Sequence, residues 1–313
     1  MNSQVGCGVV MFRLARELGA GIIHRVGARV LLFTSGVSFG LMAALTRIST
    51  KGGFTAGQIA VVRFGVGVLL TLGLFAVRPG TWSPVKKGLL LTRGALGGLA
   101  AFLYFVALSR TSAVEATLLN NSFPIFATVL AFFALHERPT LHLVFGIALA
   151  SAGVFLVLGG GTAHFTWGWG HVAGIASAFL AAGAVLAIRR LRATDNAPTI
   201  FFAFCVGGLM VSLPFALDPW PAGASLWVIA LIGVGGTSFV AQLLMTQAYG
   251  KLTVPEAAIW QQLTPLASYL WALLLLDEHL SRLGVAGVTL GIIGVIYGSV
   301  FGVRQPADTA LES

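Results

Sequence analysis

Residues 113–154 read AVEATLLNNSFPIFATVLAFFALHERPTLHLVFGIALASAGV, and residues 254–295 read VPEAAIWQQLTPLASYLWALLLLDEHLSRLGVAGVTLGIIGV. The two stretches align without a gap at an offset of 141. Glu115 falls on Glu256, Pro124 on Pro265, Glu137 on Glu278, Gly146 on Gly287 and Gly153 on Gly294. Coincident Ala, Leu or Val means little between two apolar segments. Coincident Glu, Pro and Gly means more, because each is costly or conformationally special inside an apolar helix. An internal repeat in a chain this apolar is the usual signature of a transporter built from two halves.

Working outward, composition sets the class. The chain is 57% hydrophobic and 9% charged, with a mean hydropathy of +0.91. Soluble domains carry about 25% charged residues, so this chain must face lipid. The net charge of +9 does not point to nucleic acid, because the basic residues stand singly or in small groups between apolar runs. Cys7 and Cys205 make no disulfide framework.

A membrane span needs roughly 20 apolar residues. Ten are read: 30–48, 57–77, 88–108, 113–135, 141–159, 167–188, 198–217, 226–248, 254–276 and 283–303. The fold class expected is an all-α polytopic membrane protein with two five-helix repeats, over 30–159 and 167–303. Tails at 1–29 and 304–313 flank them. The first tail is read as flexible, with a surface amphipathic helix as the alternative. An even number of spans leaves both ends on one side. With both ends in the cytoplasm, only Arg47, Lys51, Arg110 and Arg282 lie outside and Arg63 lies within a span. Every other Lys and Arg, Arg93 included, then anchors a cytoplasmic loop or tail, as the positive-inside rule requires. Five helices is an odd number, so the second repeat enters the bilayer upside down relative to the first.

Several residues resemble one family. The fourth helix with its central proline exits through His136-Glu137-Arg138-Pro139-Thr140, echoed by Asp277-Glu278-His279-Leu280-Ser281. With Arg63-Phe64 in the second helix and the run Ala107 to Ala113, this pattern resembles the EamA-type drug/metabolite transporter superfamily. The resemblance implies a ten-helix transporter of small organic metabolites, such as amino acids or vitamins, in a bacterial-type inner membrane. It implies a pathway lined mainly by helices 1, 3, 4, 6, 8 and 9. Two positions depart from internal symmetry: Phe204 stands where the first half has Arg63, and His279 where it has Arg138.

Polar groups inside spans mark the candidate site, because they face a cavity or a partner helix. Asn120 and Asn121 coincide with Gln261 and Gln262, and Trp260 sits beside the second pair. These amides either bind substrate or hydrogen-bond between helices. Gln242, Tyr104 and Ser38 are further substrate candidates. Pro124 and Pro265 remove a helical hydrogen bond and kink their helices. Arg63, Glu115 and Glu256 are the candidates for charge or proton coupling. Arg63 is expected to pair with Glu115, with snorkelling to the headgroups as the alternative. Glu137 with Thr140, and Glu278 with Ser281, are expected to cap the helices that follow them. Glycine pairs at 94/98, 287/291 and 294/298 are read as packing.

The partners expected are a small-molecule substrate, the lipid bilayer and a coupling ion such as H+. No cofactor, metal or nucleic acid is expected. The sequence has no Gly-x-Ser-x-Gly, no phosphate loop with its lysine and no His-Glu-x-x-His. An intramembrane enzyme and a non-transporting scaffold or sensor remain the alternative readings.

Overall fold

The computed structural model describes the backbone of residues 4–111, 113–157, 168–221, 225–276 and 282–302. Side chains are described over the same ranges except at 4–26, 105, 108, 109, 113–115 and 225–227. The first-half helices are α1 (Gln4–Lys51), α2 (Ala56–Val77), α3 (Lys87–Arg110), α4 (Ala113–Asn120), α5 (Phe123–Leu135) and α6 (Leu141–Val157). The second half supplies α7 (Trp169–Leu191), α8 (Ala197–Ser212), α9 (Ser225–Tyr249), α10 (Val254–Gln261), α11 (Leu263–Leu275) and α12 (Arg282–Phe301). Among the described residues there is no strand.

Seven stretches of this helical chain are long and apolar enough to cross a bilayer. They are Gly27–Lys51, Ala56–Val77, Ala116–Leu135, Trp169–Leu191, Ala197–Phe215, Val228–Tyr249 and Arg282–Phe301; Leu141–Val157 is shorter. α3 is interrupted by arginine, and α10 and α11 divide a further apolar stretch between them. The chain is therefore an all-helical, multi-pass membrane protein. Large apolar side chains such as Leu69, Phe133, Ile229 and Leu274 are exposed on its outer surface, which only lipid can cover favourably. Residues 4–26 continue α1 as helical backbone, so the flexible-tail reading does not describe them.

Packing runs between the repeats rather than within them. α1 packs on α9 and α11, α3 on α7 and α8, α2 on α8 and α9, α5 on α7, and α6 on α12. Glycine permits the closest approaches. A Cβ on Gly146 would lie 2.6 Å from the Gly298 Cα, and one on Gly294 would lie 2.5 Å from the Ala150 nitrogen. One on Gly94 would lie 2.7 Å from the Ala203 carbonyl oxygen, and one on Gly98 2.8 Å from that of Gly207. The glycine pairs thus serve the packing expected of them, letting backbones meet where lipid gives little drive for association.

Helix starts are capped from within and from across the fold. Thr55 Oγ1 accepts from the Gln58 amide at 3.3 Å, and Gln58 Oε1 accepts from the Thr55 amide at 3.1 Å. The fully buried Gln58 then donates through Nε2 to the Asp218 and Pro219 carbonyls, tying the start of α2 to the end of the second-half helix α8. α3 has no cap of its own. Asp195, 2% exposed, supplies one from the other half, accepting from the Val85 and Lys86 amides at 2.8 and 3.3 Å. A carboxylate at a helix N-terminus also complements the helix dipole.

Candidate functional site

Two spans are broken rather than merely kinked. α4 ends at Asn120, and α5 begins at Phe123 with Pro124 in its first turn. Its repeat mate α10 ends at Gln261, and α11 starts at Leu263 with Pro265 just inside. Between the segments the amides turn back tightly: Ser122 to the Leu119 carbonyl at 3.1 Å, and Gln262 to that of Ile259 at 3.2 Å. Proline cannot donate the next helical bond, so the ladder stops there. The polar residues of each break are consequently carried at an interruption deep in the bundle.

A pair of hydrogen bonds repeats across the two halves. Ser35 on α1 donates to the Ala241 carbonyl of α9 at 2.8 Å, and Ser177 on α7 donates to the Ala100 carbonyl of α3 at 2.8 Å. Ala100 and Ala241 are mates at the offset of 141; Ser35 and Ser177 differ by 142, one residue more. The symmetry then breaks. Asn120 Nδ2 donates to Ser177 Oγ at 2.8 Å, whereas Nε2 of its mate Gln261 is buried, and the Gln261 side chain faces the Tyr249 hydroxyl instead of a serine.

The other amides are engaged locally or across the seam. Asn121 donates back to the Thr117 carbonyl at 2.9 Å. Gln262, 1% exposed, donates to Ser151 Oγ of α6 at 2.7 Å. Ser38 bonds the Thr34 carbonyl of its own helix, and the Tyr104 hydroxyl lies 3.0 Å from Thr117 Oγ1.

A different group of buried polar atoms lacks protein partners. Gln242 Oε1, Thr246 Oγ1 and the Tyr249 hydroxyl oxygen lie on α9, at positions i, i+4 and i+7 of one helical face. Trp260 Nε1 and Gln261 Nε2 on α10 and Thr264 Oγ1 on α11 join them. Each such atom costs about 1–3 kcal/mol unless water or a ligand satisfies it. Tyr249 is buried in one apolar cluster with Leu90, Val185, Ile188 and Ala257, and Trp260 packs against that cluster. Of the sequence candidates, Gln242 shares the Tyr249 face of α9, Trp260 packs against the Tyr249 cluster and Gln261 faces the Tyr249 hydroxyl. Tyr249 and Thr264 escaped sequence reading, although Tyr249 follows Gln242 by the seven residues that keep a helix face.

Two arginines flank this region. Arg63 Nε on α2 donates to Ser238 Oγ on α9 at 2.9 Å. Arg93, on α3, is 4% exposed, and its guanidinium carbon lies 4.2 Å from the centroid of the Phe204 ring on α8. Phe204 in turn meets Phe64 edge-on at 5.2 Å. Arg93 is therefore no loop anchor. The side chain of Glu115 lies outside the described residues, and the contact found for Arg63 is to Ser238.

Glu256 and Glu137 both make ties between halves, and for Glu137 the tie replaces the cap expected of it. Glu256, 4% exposed, meets Arg29 of α1 at 3.1 Å, so a built-in cation already occupies this coupling candidate. Thr140 caps α6 as expected, accepting from the Leu143 amide at 3.2 Å. Glu137 does not join it. Its Oε1 accepts from Arg189 Nε at 3.0 Å and its Oε2 from the Val254 amide at 2.6 Å. The left-handed turn at His136, φ 56°, takes the chain off the end of α5 just before Glu137, whose carboxylate caps α10 rather than the next helix. Arg190 adds a bond to the Ala134 carbonyl at 2.6 Å. Glu278 and Ser281 fall outside the described residues.

Among the described residues, no group of three or more His, Cys, Asp or Glu is placed to hold a metal. Comparison with known proteins agrees with the transporter reading of the repeat. The pseudopaline exporter of Pseudomonas aeruginosa is 24% identical over 269 residues, covering 85% of this chain and 94% of the relative. Mouse solute carrier family 35 member G1 is 26% identical over 246 residues, covering 72% of this chain and 67% of the relative. A solved crystal structure superposes with a TM-score of 0.75 at 20% identity, over 91% of this chain and 99% of its own, which shows a shared fold. The EamA-like transporter family matches twice, at residues 27–159 and 168–299, and this chain belongs to that family.

Proposed function

We propose that the protein is a secondary transporter that moves a small organic metabolite across a bacterial-type inner membrane by alternating access. Its ten spans form two inverted five-helix repeats with both termini in the cytoplasm. Broken spans α4–α5 and α10–α11 carry the polar residues of the pathway. The observation that carries this reading is the repeated Ser–carbonyl bond across the two seams, beside buried polar atoms without protein partners. A purely structural bundle has no reason to leave Gln242, Thr246, Trp260 and Thr264 unsatisfied.

In this topology the Glu137–Arg189–Val254 and Arg29–Glu256 contacts lie at the cytoplasmic end. α5 packs on α10 there. The conformation is accordingly closed toward the cytoplasm. Flux of radiolabelled metabolites through proteoliposomes tests the function. Uptake by none of a broad panel, with correctly folded protein, would leave a scaffold or an enzyme. Impermeant labelling of Arg138→Cys and His279→Cys tests the topology; labelling from one and the same side refutes the inverted repeat.

A further inference from the structure

Two arginines, the buried Arg93 and the partly buried Arg63, stand at corresponding places in the two halves, although they are not repeat mates in sequence. At the offset of 141, Arg63 corresponds to Phe204 and Ser238 to Gly97. The mate of the Arg63–Ser238 contact is therefore a contact between Phe204 and Gly97. That contact exists: a Cβ on Gly97 would lie 2.6 Å from the Phe204 ring and would collide with Nη1 of Arg93. Phe204 brings no charge to this place. Arg93 reaches into it from one turn earlier on α3 and lays its guanidinium on the phenylalanine. A cation stands at both positions, supplied by different residues.

Neither cation is explained by anchoring to headgroups. Arg63 is about 10 Å from the start of α2, and Arg93 about 9 Å from the start of α3, at 1.5 Å per residue. A snorkelling Arg93 would turn toward Lys87 and the nearer membrane face. It turns the other way, over Gly97 and deeper into the bundle. Nor is either neutralised by a carboxylate among the described residues. The two salt bridges found among the described residues use Arg29 with Glu256 and Arg189 with Glu137. Arg93 Nε is buried with no acceptor, and Arg63 has only a neutral hydroxyl. Cations held this far inside an apolar bundle, with no counter-charge among the described residues, are costly.

We propose that Arg63 and Arg93 form a two-site receptor for an anionic substrate, a metabolite carrying a carboxylate. One guanidinium serves each half, so the anion meets a matched cation whichever half is open. Planar guanidinium groups suit a carboxylate through paired N–H donors. The proposal rests on the transport reading above.

The test uses full-length protein in proteoliposomes. Fluxes of radiolabelled glutamate, succinate and benzoate are compared with those of glutamine, succinamide, benzamide and choline. Expected is saturable flux of a carboxylate but not of its amide. Arg63→Gln and Arg93→Gln should each raise the half-saturating concentration about tenfold or more, the loss of one charge-assisted contact. Arg93→Lys keeps the charge without the planar fork and should fall between. Should Arg93→Gln not fold, Arg63→Gln carries the same test. Saturable flux of the amides or choline, unchanged in the glutamine variants, overturns the anion receptor and leaves the transporter standing. No flux of any compound counts against transport itself.

Discussion

Glu137 offers the sharpest test of how the halves are held. Its carboxylate ties the end of α5 to Arg189 and to the first amide of α10. The side chains are 13% exposed for Glu137 and 32% for Arg189, so the ion pair is partly screened. A screened pair is worth about 0.5–1 kcal/mol, and a short bond from a backbone amide to a carboxylate about 1.5 kcal/mol. Glu137→Gln removes the charge but keeps one acceptor oxygen, which leaves a loss of about 1.5 kcal/mol. If these contacts exist only when this end is closed, the closed population falls about tenfold relative to the open one. Leu252 reports on the opening, since it is 1% exposed and packs in the cluster beneath the tie. In a background with Cys7 and Cys205 replaced, Leu252→Cys should react with an impermeant maleimide about tenfold faster once Glu137 is Gln. Arg189→Gln should act similarly, and the double variant should exceed either single one by little. Unchanged labelling, or effects that simply multiply, would refute the reasoning.

Other perturbations probe the frame. Gly153→Leu on α6 forces a side chain into the backbone of α12, and should lower the melting temperature measured by tryptophan fluorescence in detergent, at a cost of about 3 kcal/mol or more. The same change at Gly73, where a Cβ meets nothing within 4 Å, should cost far less, and equal losses would discount the close approach. Ser35→Ala should destabilise by about 1 kcal/mol, and Ser177→Ala by more, because it also strands Asn120 Nδ2; chemical-denaturation midpoints that shift equally would deny that Asn120 depends on Ser177. Asp195→Ala removes the borrowed cap of α3 and should cost about 1 kcal/mol, with faster amide hydrogen exchange at residues 85–89 as its local signature. No change in exchange there would show that the cap contributes nothing.

The ladder of apolar runs and the offset of 141 already contained the all-helical class, the two repeats and the prolines at which two spans break. These are local properties: a proline lacks its donor wherever it sits, and apolar length decides what can cross a bilayer. Local reading went wrong where a side chain had two places to go. Arg93 at the edge of an apolar run looks like an anchor, and only Gly97 and the Phe204 ring across the seam make the inward path open. Glu137 three residues before Thr140 looks like the cap of α6. The turn at His136 and the arrival of Val254 from 117 residues away give its carboxylate a better partner. For Glu256 the sequence does not name the partner, which α1 supplies as Arg29. Sequence thus determined which segments enter the membrane and where they interrupt. Tertiary structure alone decided which charges are matched within the protein, because a buried charge is governed by neighbours that lie far away along the chain.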